Sequence, residues 1–229
     1  MGDKKIKIKW DKWRYKNGGE RMDALRPDGI VDGKTVRVHD TSVAKCHVAR
    51  YIFAAGILNK AGVRTAIDMP CGLGYGTSIL RRSGIDVTGI DISGKAIKYA
   101  KDFYPGKYIR ANAEEAFACS PVDCVVSFEG IEHVDDPKKL IQNIHKLSNR
   151  YMLLSWPDNW GENTSRGGFH KHNINLDIVG ELIKGNFKQI PLATNSGFCV
   201  FDRRGGIHDE TKLSEIKDPC IMIMAEKLS

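Results

Sequence analysis

Along its middle, the chain alternates between two hydrophobic periods. Short apolar runs at "TAIDM" (65–69), "DVTGID" (86–91), "KYIRAN" (107–112), "VDCVVSF" (122–128) and "YMLLSW" (151–156) have the length and residue types of buried strands. Helical patterns separate several of them. After Thr41, a possible N-cap, Ala44, Val48, Tyr51, Ile52 and Ala55 recur at i, i+3, i+4, i+7 spacing and share a face with His47, which predicts a helix. A second helix opens at Ser93 and buries Ala96, Ile97 and Ala100. A third opens at Asp136, with Pro137 at its first position, and buries Leu140, Ile141, Ile144 and Leu147. Beyond residue 156 the pattern loosens, then gives a helix over 176–185 and strands at 187–193 and 220–227. Strands and helices taking turns in this order predict a doubly wound α/β domain with a mostly parallel, seven-stranded sheet and helices on both faces.

The N-terminal end differs. "KIKIKW" alternates apolar and basic residues as a short edge strand does, and the glycines and prolines of 17–40 read as loop. Eight basic side chains against three acidic ones in the first 21 residues account for most of the formal charge of +7, so this is a basic arm. At 229 residues, with 41% hydrophobic and 28% charged residues, one sizeable globular domain is expected. No run of about 18 apolar residues occurs, and the N-terminus is too polar for a secretion signal, so a cytoplasmic protein without membrane association is expected. Six scattered cysteines without a C-x-x-C pair predict buried thiols, not a zinc or disulfide framework.

Candidate chemistry begins at "AIDMPCGLGYGTSIL" (66–80). A glycine turn between strand and helix suits a ligand that approaches bare backbone. Gly72, Gly74 and Gly76 give G-x-G-x-G, and Thr77 stands where a dinucleotide fingerprint has its third glycine. Asp68 argues the same way, because a carboxylate beside the turn would repel a pyrophosphate and attract a cationic ligand. S-adenosylmethionine, with its sulfonium, ammonium and single carboxylate, meets both conditions. Asp91 closes the second predicted strand, 19 residues after Gly72, where a carboxylate can hold two ribose hydroxyls.

Together with "VTGIDISGKAIKYAKDFY", "YIRANAEEA" and "VSFEGIEHVDDP", the loop resembles, in order and spacing, the cofactor motifs of class I S-adenosylmethionine-dependent methyltransferases, nearest the branch of ubiquinone-biosynthesis and sugar or polysaccharide O-methyltransferases. The likeness runs from about residue 44 to the end. It implies a Rossmann-like methyltransferase domain over 41–229, preceded by an arm and substrate-side loop over 1–40. It implies further that Asp68 meets the amino group of the methionine part, Gly72 and Gly74 admit the cofactor, and Asp91 holds the ribose. Ile92 would pack on adenine, Asn112 and the Ala113 backbone would read its edge, Phe128 would line the methionyl end, and Arg50 would meet the cofactor carboxylate. Pro70 departs from the glycine most common there and removes an N–H donor. The turn before "YMLLSW" also lacks the usual K-P-G-G.

For the chemistry, His133 follows the fourth predicted strand, where such a sheet opens to substrate, and it is the first candidate for a base or substrate contact. His170 in "GGFHKHN" is the second, with His172 beside it. An H-x-H pair can bind metal, but no third ligand stands at metal-like spacing, so no metal is expected. Glu129 and Glu132 are read as hydrogen-bonding the pocket and capping backbone. The function implied is methyl transfer to a hydroxyl of a small molecule such as a sugar. A nucleic-acid methyltransferase is the rival, on Trp10, Trp13 and Tyr15 interleaved with lysines in the arm. A non-catalytic cofactor-binding module and, more distantly, a dehydrogenase are further alternatives.

Overall fold

The computed structural model describes residues 23–25, 30–31, 34–35, 41–158, 170–192 and 197–228. The elements run β1 (Ile30–Val31), β2 (Lys34–Thr35), α1 (Thr41–Lys60), β3 (Thr65–Asp68), α2 (Tyr75–Arg82), β4 (Asp86–Asp91), α3 (Gly94–Phe103), β5 (Lys107–Arg110), β6 (Val122–Phe128), α4 (Pro137–Leu147), β7 (Ser148–Pro157), α5 (Leu176–Ile183), β8 (Phe187–Ile190), β9 (Phe198–Phe201), β10 (Ile207–His208) and β11 (Cys220–Lys227). β1 and β2 form an antiparallel hairpin of their own within the stretch expected to be loop. The basic arm over 1–22, with its expected edge strand, lies outside the described residues.

The main sheet has the order β10-β9-β11-β7-β6-β3-β4-β5, with β8 also on β11. β3 to β7 are parallel, and β11 runs antiparallel to β7. The sequence predicts seven strands where the sheet has nine. The difference lies on the far edge of β11: Met224–Lys227 pairs with β8 and Cys220–Ile223 with β9, so one strand position is filled by two short segments. Pro191 and Gly197 interrupt it, and β10 then folds back on β9.

Alternate side chains of the strands enter two cores. Ala66, Val126, Leu153 and Met222 face α1, α2 and α3, whereas Ile67, Val125, Met152 and Ile221 face α4 and α5. Burial of Leu140, Ile141 and Ile144 holds α4 to the sheet, at about 1.5–3 kcal/mol for each such side chain. Asp136 caps that helix by accepting from the Lys138 and Lys139 N–H groups, and Ser93 caps α3 through the Ala96 N–H. Ile52, expected on the buried face of α1, is exposed. At about 100° per residue the buried stripe centres on Tyr51, Ala54 and Leu58, and Ile52 points away from it.

Candidate functional site

The ends of β3, β4 and β6 converge on the glycine loop. Met69 N–H donates to the Val126 carbonyl and Cys71 N–H to the Ile90 carbonyl, both at 2.8 Å, so the loop is stitched to both neighbouring strands. The Met69–Pro70 peptide is cis. Gly72, at φ +54°, sends its N–H 3.0 Å to Asp91 Oδ2. Gly74, at φ +86°, enters α2 from the left-handed region without a side-chain cap. A Cβ on Gly74 would lie 2.7 Å from Ala100 Cβ, and one on Gly76 would fall 2.1 Å from the Tyr51 ring. The first turn of α2 therefore packs its glycines directly against Tyr51 of α1 and Ala100 of α3.

Asp68, the last residue of β3, is fully buried. Thr77 Oγ1 donates to its Oδ2 at 2.6 Å and Tyr51 Oη to its Oδ1 at 3.0 Å. Burial pushes its pKa up to about 7 against the pull of those two bonds, and the Asp91 charge adds to the rise. The same burial, with Asp68 beside it, holds the Tyr51 hydroxyl well above its ordinary value. Asp91, equally withdrawn from solvent, accepts from Gly72 N–H and, at 2.8 Å, from Ser93 N–H. Its carboxylate thus fixes the loop and the entry to α3 together.

Around this pair the expected residues fall into place unequally. Ile92 follows Asp91 with 56% of its surface exposed, a bare apolar plane at the mouth of the loop. Phe128 is buried at the end of β6, its ring 4.8 Å from that of Tyr51. Asn112 lies just past the end of β5, which is two residues shorter than expected. It accepts from Glu114 N–H and donates to Glu115 Oε1. The Ala113 carbonyl accepts from Asn143 Nδ2. Arg50, buried in α1, pairs with Glu129 Oε1 and lies 3.4 Å from Ser155 Oγ. Burial lowers the Arg50 pKa, but Glu129 together with Cys220, Cys46 and Tyr75 outweighs it, and the net shift is well upward. His47, one turn earlier on α1, bonds Tyr75 Oη at 2.8 Å; burial and then Arg50 hold its pKa well below the ordinary value.

The loop after β6 forms the other half. Glu129 adopts φ +49° and Gly130 packs against Pro70. After buried Ile131, Glu132, 1% exposed, and His133 enter a second cluster. Lys171 N–H and His172 N–H both donate to the Glu132 carbonyl, His172 Nε2 lies 3.0 Å from the Val134 carbonyl, and Lys171 pairs with Asp135. These contacts bring the His170 ring to 4.9 Å from that of His133. Both sequence-predicted histidines therefore share one site. His172 faces the backbone, so the H-x-H pair does not act as a unit.

Tyr51, Thr77, Glu114 and Asn143 are the residues sequence reasoning passed over. Asn143 did leave a signal, a polar side chain on the same face as Leu140, Ile144 and Leu147. It bonds the Ala113 and Glu115 carbonyls, while Glu114 accepts from the Asp135 and Asp136 N–H groups. No comparable pattern marks Tyr51, whose spacing is that of an ordinary core residue.

Residues 67–150 match the protein family described as Methyltransferase domain. A probable S-adenosylmethionine-dependent methyltransferase of Mycolicibacterium smegmatis is 25% identical over 160 residues, which is 66% of this chain and 58% of that protein. The ubiquinone biosynthesis O-methyltransferase of Nitrosomonas europaea is 36% identical over 98 residues, 40% of this chain and 42% of that protein. Among solved structures, magnesium protoporphyrin IX methyltransferase from Synechocystis PCC 6803, with S-adenosylhomocysteine bound, superposes with a TM-score of 0.62 at 14% identity, covering 96% of this chain and 95% of that one. The chain thus matches about half the length of its curated relatives and nearly all of a fold.

Proposed function

We propose that this chain, a member of the class I S-adenosylmethionine-dependent methyltransferases, transfers the methyl group to a hydroxyl of a small molecule, a sugar or related metabolite, with the domain spanning 41–229 and 1–40 forming an arm and substrate-side loop. The observation that carries the reading is the buried Asp68 carboxylate beside the first turn of α2. That arrangement favours a ligand with a positive amino group and one carboxylate over a pyrophosphate. Gly74 and Gly76 are demanded by packing, because a Cβ there would strike Ala100 and Tyr51, and this close packing sets the first turn of α2 next to Asp68.

In this reading Asp68 receives the ammonium, held in place by Tyr51 and Thr77. Arg50 and the N-terminus of α2 receive the carboxylate, and Gly72 and Gly74 let the ligand approach the backbone. Asp91, oriented by Gly72 and Ser93, accepts from the ribose hydroxyls. Ile92 offers the adenine its exposed face, Asn112 and Ala113 its edge contacts, and Phe128 walls the methionyl part. The bound cofactor supplies a methyl carbon already activated by its sulfonium. The protein's work is then alignment for in-line displacement and exclusion of water. His133, on the loop after β6, and His170, on the segment after β7, are the candidates for a base or a contact to the acceptor.

The ubiquinone biosynthesis O-methyltransferases among the relatives support an oxygen acceptor, and glycine N-methyltransferases matched at 32% identity over 91 residues make nitrogen its competitor. Incubation with methyl-labelled cofactor and a panel of sugars, phenols and RNA tests the reading. Label is expected in a sugar or phenol; label confined to RNA would transfer the assignment to the rival, and binding without turnover of any acceptor would favour a non-catalytic module.

A further inference from the structure

We propose that Glu132, His133 and His170 form a site for a divalent first-row transition ion of the zinc class. One ligand atom from each lies within 4.8 Å of the other two, and they include two imidazoles and one buried carboxylate. That donor set suits zinc or iron(II) better than magnesium or calcium. Glu132 Oε1 and His133 Nε2 stand 3.6 Å apart, too far for a hydrogen bond. The separation is close to the roughly 3.3 Å between neighbouring ligand atoms of a tetrahedral zinc with bonds of about 2.05 Å. The third ligand comes from a segment 37 residues further along the chain, which is why linear spacing hides the set.

The site is built rather than accidental. Both the Lys171 and His172 N–H groups grip the carbonyl of Glu132, itself a ligand, and His172 and Lys171 are anchored on Val134 and Asp135. The backbone just after His170 is therefore tied to the loop that carries Glu132 and His133, which sets His170 beside His133. Three protein ligands leave at least one position for another oxygen. The role assigned to that position, holding the acceptor hydroxyl, rests on the proposed methyl transfer. It would make His133 and His170 ligands instead of free bases.

Cobalt(II) serves as the spectroscopic probe. Untagged full-length protein, stripped with EDTA and titrated with Co²⁺, is expected to take up one ion per chain with visible d–d bands of a low-coordinate site, and Zn²⁺ should displace it. Glu132→Gln, His133→Ala and His170→Ala should each lose the bands, whereas His145→Gln, on α4, should retain them. Circular dichroism checks that the variants fold. Uptake below one ion per chain, or bands undiminished in His133→Ala and His170→Ala, would overturn the proposal. Calorimetry with S-adenosylhomocysteine separates it from the reading it builds on: ligand heat without Co²⁺ uptake sinks the metal site alone, and Co²⁺ uptake without ligand heat sinks the cofactor assignment alone.

Discussion

Asp68 is a carboxylate placed where water does not reach. Burial raises its pKa to about 7, so in the empty protein its ionisation works against the fold: the contribution is fully present below about pH 4 and is lost as pH rises through 7. An ammonium ligand reverses the preference, because it favours the charged form. Binding of S-adenosylhomocysteine at pH 6.5 should therefore expel a proton, up to about three quarters of one per site, and affinity should rise about tenfold between pH 6 and pH 8. Calorimetry in two buffers of different ionisation enthalpy measures the proton count directly. Asp68→Asn should bind weakly with a flat pH profile; an unchanged profile in that variant would remove Asp68 from the amino-group role. The two bonds from Tyr51 and Thr77 explain why the carboxylate, once charged, is already aimed.

At the scale of elements, α1 is tied to the loop after β6 by an ion pair, besides the bond from Tyr51 to Asp68. Arg50 joins it to Glu129 just past β6, and Glu129 N–H in turn bonds the Ser155 carbonyl on β7. Breaking a buried pair from one side leaves a stranded charge, whereas replacing both partners removes the problem. Arg50→Met should thus cost about 3 kcal/mol in urea denaturation, with the slope unchanged, and the Arg50→Met/Glu129→Gln double variant should recover at least half. No recovery would mean that Arg50 acts through packing. The elements themselves were legible because each satisfies a local rule: Asp136-Pro137 caps α4, Ser93 caps α3, and β3, β4, β6 and β7 carry apolar runs of the right length. The Asp68, Gly72 and Asp91 series was legible for the same reason. What escaped depends on tertiary proximity. The split strand on β11, the Arg50–Glu129 pair and the meeting of His170 with Glu132 and His133 join segments dozens of residues apart, and no periodicity records such distances.

Across the whole molecule, the sheet order places the glycine loop on β3, the strand at which the chain crosses from the β4-β5 side to the β6-β7 side. In a parallel α/β sheet that switch point opens a crevice at the carboxyl ends of the strands, and Asp68, Asp91 and Phe128 all stand there. A ligand seated in the crevice touches loops from both halves and stabilises the native state by mass action. At one hundred times its dissociation constant the gain is about 2.7 kcal/mol, which for a chain of this size raises Tm by about 5–10 °C. S-adenosylhomocysteine should produce a shift of that order in differential scanning fluorimetry at pH 8, and NAD at the same concentration should produce none. The contrast follows from charge, because both ligands carry an adenosine that Asp91 and Ile92 would accept, and only NAD brings a pyrophosphate against Asp68. An equal shift from NAD would show that the buried acid does not discriminate, and the cofactor preference would then have to come from elsewhere in the crevice.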